Sequence, residues 1–213
     1  METFEEGPLR IVKEGPLGGF ANNAYLIQDK ESGETLLVDA PQDGERVLEG
    51  LAGGRVTAIV VTHRHPDHWM SIDALKQTTG APVLCHDADR EPYAAKVDRT
   101  VSDGEELSVG ALRVRVIHTP GHTPGSICLL VGGQLITGDT LFPGGPGRTQ
   151  RPEDLQEEVR SITSRLFGLP DETAVHPGHG DGTTLGVSKR EHAVFAAREH
   201  PADLCGDVTW EGA

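Results

Sequence analysis

The chain has 213 residues and carries 19 Lys and Arg against 33 Asp and Glu, a net charge of −14. That balance argues against non-specific binding to nucleic acid or to an anionic membrane, and no apolar run approaches the ~20 residues of a membrane span. The length predicts one domain over residues 1–213 with a sizeable core.

The chain opens with short strands at residues 9–13, 24–28 and 35–39. A glycine-rich hairpin loop over 15–23 joins the first two and carries Phe20, an aromatic with no core role, placed to cover a substrate. The acidic start, Met1-Glu2-Thr3-Phe4-Glu5-Glu6, lacks the apolar centre of a secretory leader. A helix is expected over 44–51, then a buried β-branched strand at 57–61. Pro66 halts that strand, and a helix is expected from about 68 to 79, with Gly80 as its stop. Residues 83–85 read as a strand and 87–93 as a weak helix. A strand-rich block follows at 106–109, 112–118, 126–131 and 134–137, with Gly132-Gly133 as a tight turn. Pro152, Leu155, Val159, Ile162 and Leu166 mark an amphipathic helix over 152–167. A strand at 173–175 and a helix over 188–199 complete the order. The three cysteines, Cys85, Cys128 and Cys205, are odd in number and form no CxxC. A reducing cytoplasm is therefore expected, with Cys85 and Cys128 as small core residues. Two similar halves, each a sheet with helices on one face, predict an α/β (α+β) chain folded as a four-layer αββα sandwich.

The densest chemistry lies at residues 62–68, Thr-His-Arg-His-Pro-Asp-His. Three imidazoles and a carboxylate in six positions suit metal ions. His63 and His65, two apart in extended chain, project the same way, whereas Asp67 and His68 face the following turn, which suggests two adjacent ions. Three further segments end strand-like runs with ligand-type residues flanked by glycine or proline: His122 in 118–125, Asp139 in 137–142 and His179 in 176–181. Strand ends aim side chains rigidly at one point.

In this combination the chain resembles the metallo-β-lactamase-fold hydrolase superfamily. The H-x-H-x-D-H, T-P-G-H-T-P-G-S, G-D-T-L-F and P-G-H-G segments occur in that family's order and separations. The resemblance implies that His63, His65 and His122 bind a first ion, that Asp67, His68 and His179 bind a second, and that Asp139 bridges them. Asp39, closing the third strand, would orient the ligand loop, with His118 as a supporting residue. The expected cofactor is two Zn2+ per chain, with iron or manganese also suited to the donors. The ions would lie roughly 3.5–4 Å apart with hydroxide between them. The expected reaction is attack of that hydroxide on a thioester or ester-like carbonyl, with Asp67 as the catalytic residue that orients the nucleophile and takes its proton.

Within the superfamily the short glyoxalase II-like group matches best, on the Gly-Arg that follows G-D-T-L-F. Arg148 is then a candidate clamp for a substrate carboxylate, and Trp69 a residue narrowing the site. Longer glyoxalase II enzymes bind glutathione through a C-terminal helical region, whereas 34 residues follow His179 here. The alternatives are a mononuclear iron persulfide dioxygenase and a lactonase of the same fold. The expected partner is a small-molecule substrate, with no nucleic acid and no membrane, and a monomer or homodimer.

Overall fold

In the computed structural model, which describes residues 1–212, two large sheets face each other. The first runs in chain order as β1 (Glu2–Glu6), β2 (Leu9–Leu17), β3 (Asn22–Asp29), β4 (Glu34–Val38), β5 (Arg55–Val60), β6 (Val83–His86) and β7 (Arg99–Val101). It is antiparallel from β1 to β4 and parallel from β4 to β7. In the second sheet β8 (Glu106–Val109), β9 (Leu112–His118), β10 (Ile127–Val131) and β11 (Gln134–Gly138) form an antiparallel meander. A small hairpin, β12 (Leu141–Phe142) and β13 (Gly145–Pro146), leaves that sheet. The chain then returns as β14 (Ala174–Pro177), parallel to β11, with β15 (Thr183–Thr184) at its edge.

Alternation sorts the side chains into three apolar layers. Ile11, Tyr25, Ile27, Val38 and Val60 of the first sheet meet Val114, Val116, Ile127, Leu129 and Ile136 of the second. On the outer face of the first sheet, Leu26, Leu37, Ile59 and Val61 pack under Ile72 and Leu75 of α1 (Ile72–Thr79) and Val47 of a 3-10 helix, Gly44–Leu51. On the outer face of the second, Cys128, Leu135 and Val175 pack under α2 (Pro152–Ser161), α3 (Leu185–Ala196) and the fully buried Trp210. β3 is buried along its whole length because both of its faces are covered. This is the expected αββα sandwich, and Cys85 and Cys128 are core residues as expected. Among the described residues no helix is long and apolar enough to cross a membrane.

Local differences have identifiable causes. The helix expected from about 68 begins only at Ile72, because the backbone of Ala40 bonds to His68 and Ser71 and pins the intervening turn to the end of β4. Pro66–His68 is instead a single 3-10 turn. The hairpin loop expected over 15–23 shrinks to 18–21, since a bulge between Glu14 and Leu17 lets β2 keep its pairing. The helix expected to reach 167 widens to a π turn at Ile162–Leu166. There the hydroxyls of Thr163 and Ser164 bond the carbonyls one turn back, which bends helices. The weak helix at 87–93 is two 3-10 turns, and the final helix starts three residues early, at Leu185. The edge strands β1, β7 and β15 and the hairpin β12–β13 were not anticipated, being too short or too polar to show a period.

Candidate metal centre

The cleft lies at one end of the two sheets, where β3, β4, β5, β9, β11 and β14 deliver their loops. Asp39, just past β4, adopts a left-handed backbone (φ 62°) that turns its carboxylate back over the loop. It is 1% exposed and accepts hydrogen bonds from Thr62 N at 2.8 Å, Thr62 Oγ1 at 2.9 Å and His68 Nδ1 at 2.8 Å. Asp89, fully buried, ties the same loop to the one carrying His122. It accepts from Arg64 N at 2.9 Å, Gly125 N at 2.8 Å and the Thr123 hydroxyl.

These bonds decide which imidazole nitrogen faces the cleft. His68 Nδ1 donates to a carboxylate, His122 Nδ1 to the Arg148 carbonyl at 2.8 Å and His179 Nδ1 to the Phe20 carbonyl at 2.9 Å. Thr62 gives its hydroxyl proton to Asp39 and so accepts from His63 Nδ1 at 3.1 Å. In all four rings Nε2 is left pointing into the cleft. His63 Nε2 lies 3.1 Å from His65 Nδ1 and 3.3 Å from His122 Nε2. In a second group Asp67 Oδ2, His68 Nε2 and His179 Nε2 lie 3.3–3.4 Å from one another. Tetrahedral zinc with bonds of about 2.0–2.1 Å has ligand edges of about 3.3–3.4 Å, so the second group has the size that a metal ion requires, and the donors of His63, His65 and His122 lie close enough together to hold one as well. Asp139 lies between them, with Oδ2 3.8 Å from His122 Nε2 and 3.4 Å from His179 Nε2, and Oδ1 3.5 Å from His68 Nε2. Asp139 Oδ1 is buried and has no hydrogen-bond partner among the described residues. An orphaned carboxylate oxygen among converging lone pairs fits a cation.

The two groups differ in charge. Burial, joined by the neighbouring histidines, holds His63 far below its ordinary range. Burial also lowers His65, and takes His122 down to about 4 despite the opposing pull of Asp139. The first group is therefore neutral and ready to ligate. In the second group burial again opposes charge, but Asp139 and Asp39 outweigh it at His68, and bonds to Asp139 and Asp67 take His179 up to about 10. Burial disfavours ionised Asp67 and Asp139 too, yet the facing histidines hold both carboxyls well below their usual range. In the second group, then, the histidines favour charged carboxylates and the carboxylates favour charged histidines.

Glycine makes room for this packing. A Cβ on Gly178 would sit 2.2 Å from Asp139 Oδ1 and 2.7 Å from His68 Cε1, and one on Gly147 would sit 1.9 Å from the Asp139 carbonyl oxygen. Under Gly147 lies Glu158, fully buried, with Oε1 accepting from Gly147 N at 3.1 Å and its carboxyl pushed far up by burial.

The seven expected ligands thus meet in one place, and Asp39 reaches them through His68 and Thr62. The other expected residues take different places around this centre. His118 stacks on His86 and bonds the Pro124 carbonyl at 2.8 Å; it touches the loop of His122 rather than any ligand side chain. The Phe20 ring is 64% exposed and is not among the cavity-lining residues; what Phe20 contributes is its carbonyl. Trp69 stacks on Tyr93 and donates Nε1–H to the Arg64 carbonyl at 3.0 Å, bracing the ligand loop instead of narrowing the site, because Tyr93 offers it a buried partner. Arg148 does line the cleft, in a cavity of about 370 Å3 that includes His122, Asp139, His179, Phe142 and Val208. Its guanidinium pairs with exposed Asp207 at 3.5 Å. A second, more polar cavity of about 320 Å3 flanks His65 and His122 with Arg64, Arg151 and Asp154. Sequence reading missed Asn22, Asp89 and Glu158. Asp89 and Glu158 look like surface acids until the fold buries them, while Asn22 gives only the weak signal of an Asn-Asn pair at a strand start.

The sequence profile of the "Metallo-beta-lactamase superfamily" matches residues 17–179. An "Uncharacterized protein" of Aquifex aeolicus (strain VF5) is 35% identical over 198 residues, covering 84% of this chain and 94% of its own. A "Hydroxyacylglutathione hydrolase" of Maricaulis maris (strain MCS10) is 37% identical over 162 residues, 74% of this chain but only 62% of the hydrolase. Among solved structures, TTHA1623 "in a di-iron-bound form" superposes with a TM-score of 0.72 at 32% identity, covering 84% of this chain and 97% of the other. Every one of the seven converging side chains falls inside the matched stretch, and the chain belongs to the metallo-β-lactamase superfamily.

Proposed function

We propose that this protein is a dinuclear metal-dependent hydrolase that cleaves a thioester or ester-like bond of a small molecule, in the manner of glyoxalase II. The observation carrying this reading is the pair of ligand groups joined by the orphaned Asp139 carboxylate. The di-iron-bound form of the similar structure TTHA1623 supports two ions and admits iron beside zinc. The name of the Maricaulis relative supports a thioester.

His63, His65 and His122 would hold one ion, Asp67, His68 and His179 the other, and Asp139 both. Bound ions supply an activated water at neutral pH and polarise the carbonyl under attack. The chain's residues do the rest. Asp67, kept ionised by His179, His68 and Asn22, orients the attacking water and accepts its proton. Asp39, Thr62, Phe20 and Arg148 fix the ring tautomers through their bonds to Nδ1. The apolar cavity beside Phe142 and Val208 receives one substituent of the carbonyl, with Arg148 at its rim. The chain spans 62% of the hydroxyacylglutathione hydrolase it matches, so glutathione recognition is a separate question from the reaction.

The test is a panel of thioesters, lactones and β-lactams offered to protein loaded separately with zinc and iron, beside Asp139→Ala. Thioester turnover that Asp139→Ala abolishes, together with metal content, is expected. One iron per chain with oxygen uptake on a persulfide would replace this reading with the dioxygenase.

A further inference from the structure

Asn22 stands as a further donor to the second ion, beside Asp67, His68, His179 and the shared Asp139. Its Nδ2 is 2.9 Å from Asp67 Oδ2, 3.3 Å from His68 Nε2 and 3.3 Å from His179 Nε2. With the 3.3–3.4 Å edges among those three atoms, the four make a nearly regular tetrahedron. The centre of such a figure is about 2.0 Å from every corner, the length of a zinc bond to nitrogen or carboxylate oxygen. An ion held by Asp67, His68 and His179 at that centre is therefore within bonding distance of the Asn22 amide.

That placement is built into the backbone. Asn22 is 2% exposed and opens β3 opposite Leu17. It also bridges to His179 itself, while Asn23 N bonds the Gly178 carbonyl at 2.7 Å and Asn23 Nδ2 bonds the carbonyls of Pro177 and Gly180 at 2.9 Å each. The contacts that position His179 thus position Asn22 as well. In the metal-free cleft the NH2 end of the amide faces this group and donates to Asp67 Oδ2. A half-turn about the last torsion exchanges NH2 for oxygen without changing the shape of the group. Among the described residues Asn22 Oδ1 makes no hydrogen bond that this turn would break. A cation at the centre repels N–H and attracts the carbonyl oxygen, so it favours the turned form.

We infer that Asn22 is a ligand of the second ion through its amide oxygen, and that it controls whether that ion is held. The inference rests on the reading that the cluster binds two ions.

The experiment is titration of the full chain with zinc by calorimetry, and with cobalt(II) by visible absorption, for the parent, Asn22→Leu and Asn22→Asp. The parent is expected to take two equivalents. Asn22→Leu, similar in shape but without a donor, should bind the first equivalent as the parent does and the second at least about tenfold more weakly. Asn22→Asp cannot turn an N–H toward the ion and should bind the second at least as tightly as the parent, with the cobalt band of that equivalent retained. A purely structural role would weaken both equivalents and lower the melting temperature of both variants. That result, or a second equivalent undiminished in Asn22→Leu, overturns the inference. A parent that takes a single ion overturns the two-ion reading itself.

Discussion

Asp39→Asn is the sharpest probe of how the fold prepares the metal centre. The change keeps shape and removes charge. Thr62 N–H can still be accepted by the remaining amide oxygen, and the Thr62 hydroxyl can turn to accept in place of donating. His68 cannot adapt so easily. Its Nδ1 lies 2.8 Å from the Asp39 oxygen that becomes NH2. Two N–H groups cannot face each other, so the ring must move its proton to Nε2, the atom that faces Asp67 and His179. Ligation then requires the tautomer the site no longer supports. A charge-assisted hydrogen bond contributes about 1.5–3 kcal/mol, and about 1.4 kcal/mol is tenfold in binding. The second ion should therefore bind roughly 10–150-fold more weakly. The first should be affected less, because His63 reaches Asp39 only through Thr62. Calorimetric titration with zinc reads both steps. Equal weakening of both, or none, would refute the tautomer argument.

Three other outcomes follow from the same geometry. Gly178→Ala places a methyl group 2.2 Å from Asp139 Oδ1; bound metal and activity should both fall sharply by mass spectrometry and turnover assay, with the fold retained by circular dichroism. Binding of the second ion should release protons at pH 7, because His179 sits at about 10 and His68 well above its ordinary range, whereas His122, at about 4, is already deprotonated. Affinity for the second ion should thus rise from pH 6 to 9 while the first stays level, as measured by calorimetry in buffers of different ionisation enthalpy. Arg148→Ala should leave metal content unchanged and raise KM several-fold with little change in kcat, since the side chain sits at the cavity rim while its backbone carbonyl holds His122.

Much of the centre was legible because side-chain ligands at strand ends carry their own signature. His63, His65, Asp67 and His68 crowd six positions, and His122, Asp139 and His179 each sit in a Gly- or Pro-flanked turn. The apolar runs of β4, β5 and β10 likewise declare strands covered on both faces. The supporting atoms were not legible. The carbonyls of Phe20 and Arg148 orient His179 and His122, and every residue has a carbonyl. Phe20 and Arg148 drew notice for side chains that are largely solvent-exposed, whereas their main chains do the positioning.

The sequence by itself determined which seven His and Asp side chains converge, the succession of the main strands and helices, and hence the layered fold, because side-chain chemistry and hydrophobic period are local properties of the chain. Tertiary structure alone decided which nitrogen each imidazole turns inward and which acids become buried. It also decided that Asn22, 45 residues from Asp67 and 157 from His179, lies beside both. Those outcomes depend on distances between segments remote in the chain, which only the packing of the two sheets brings together.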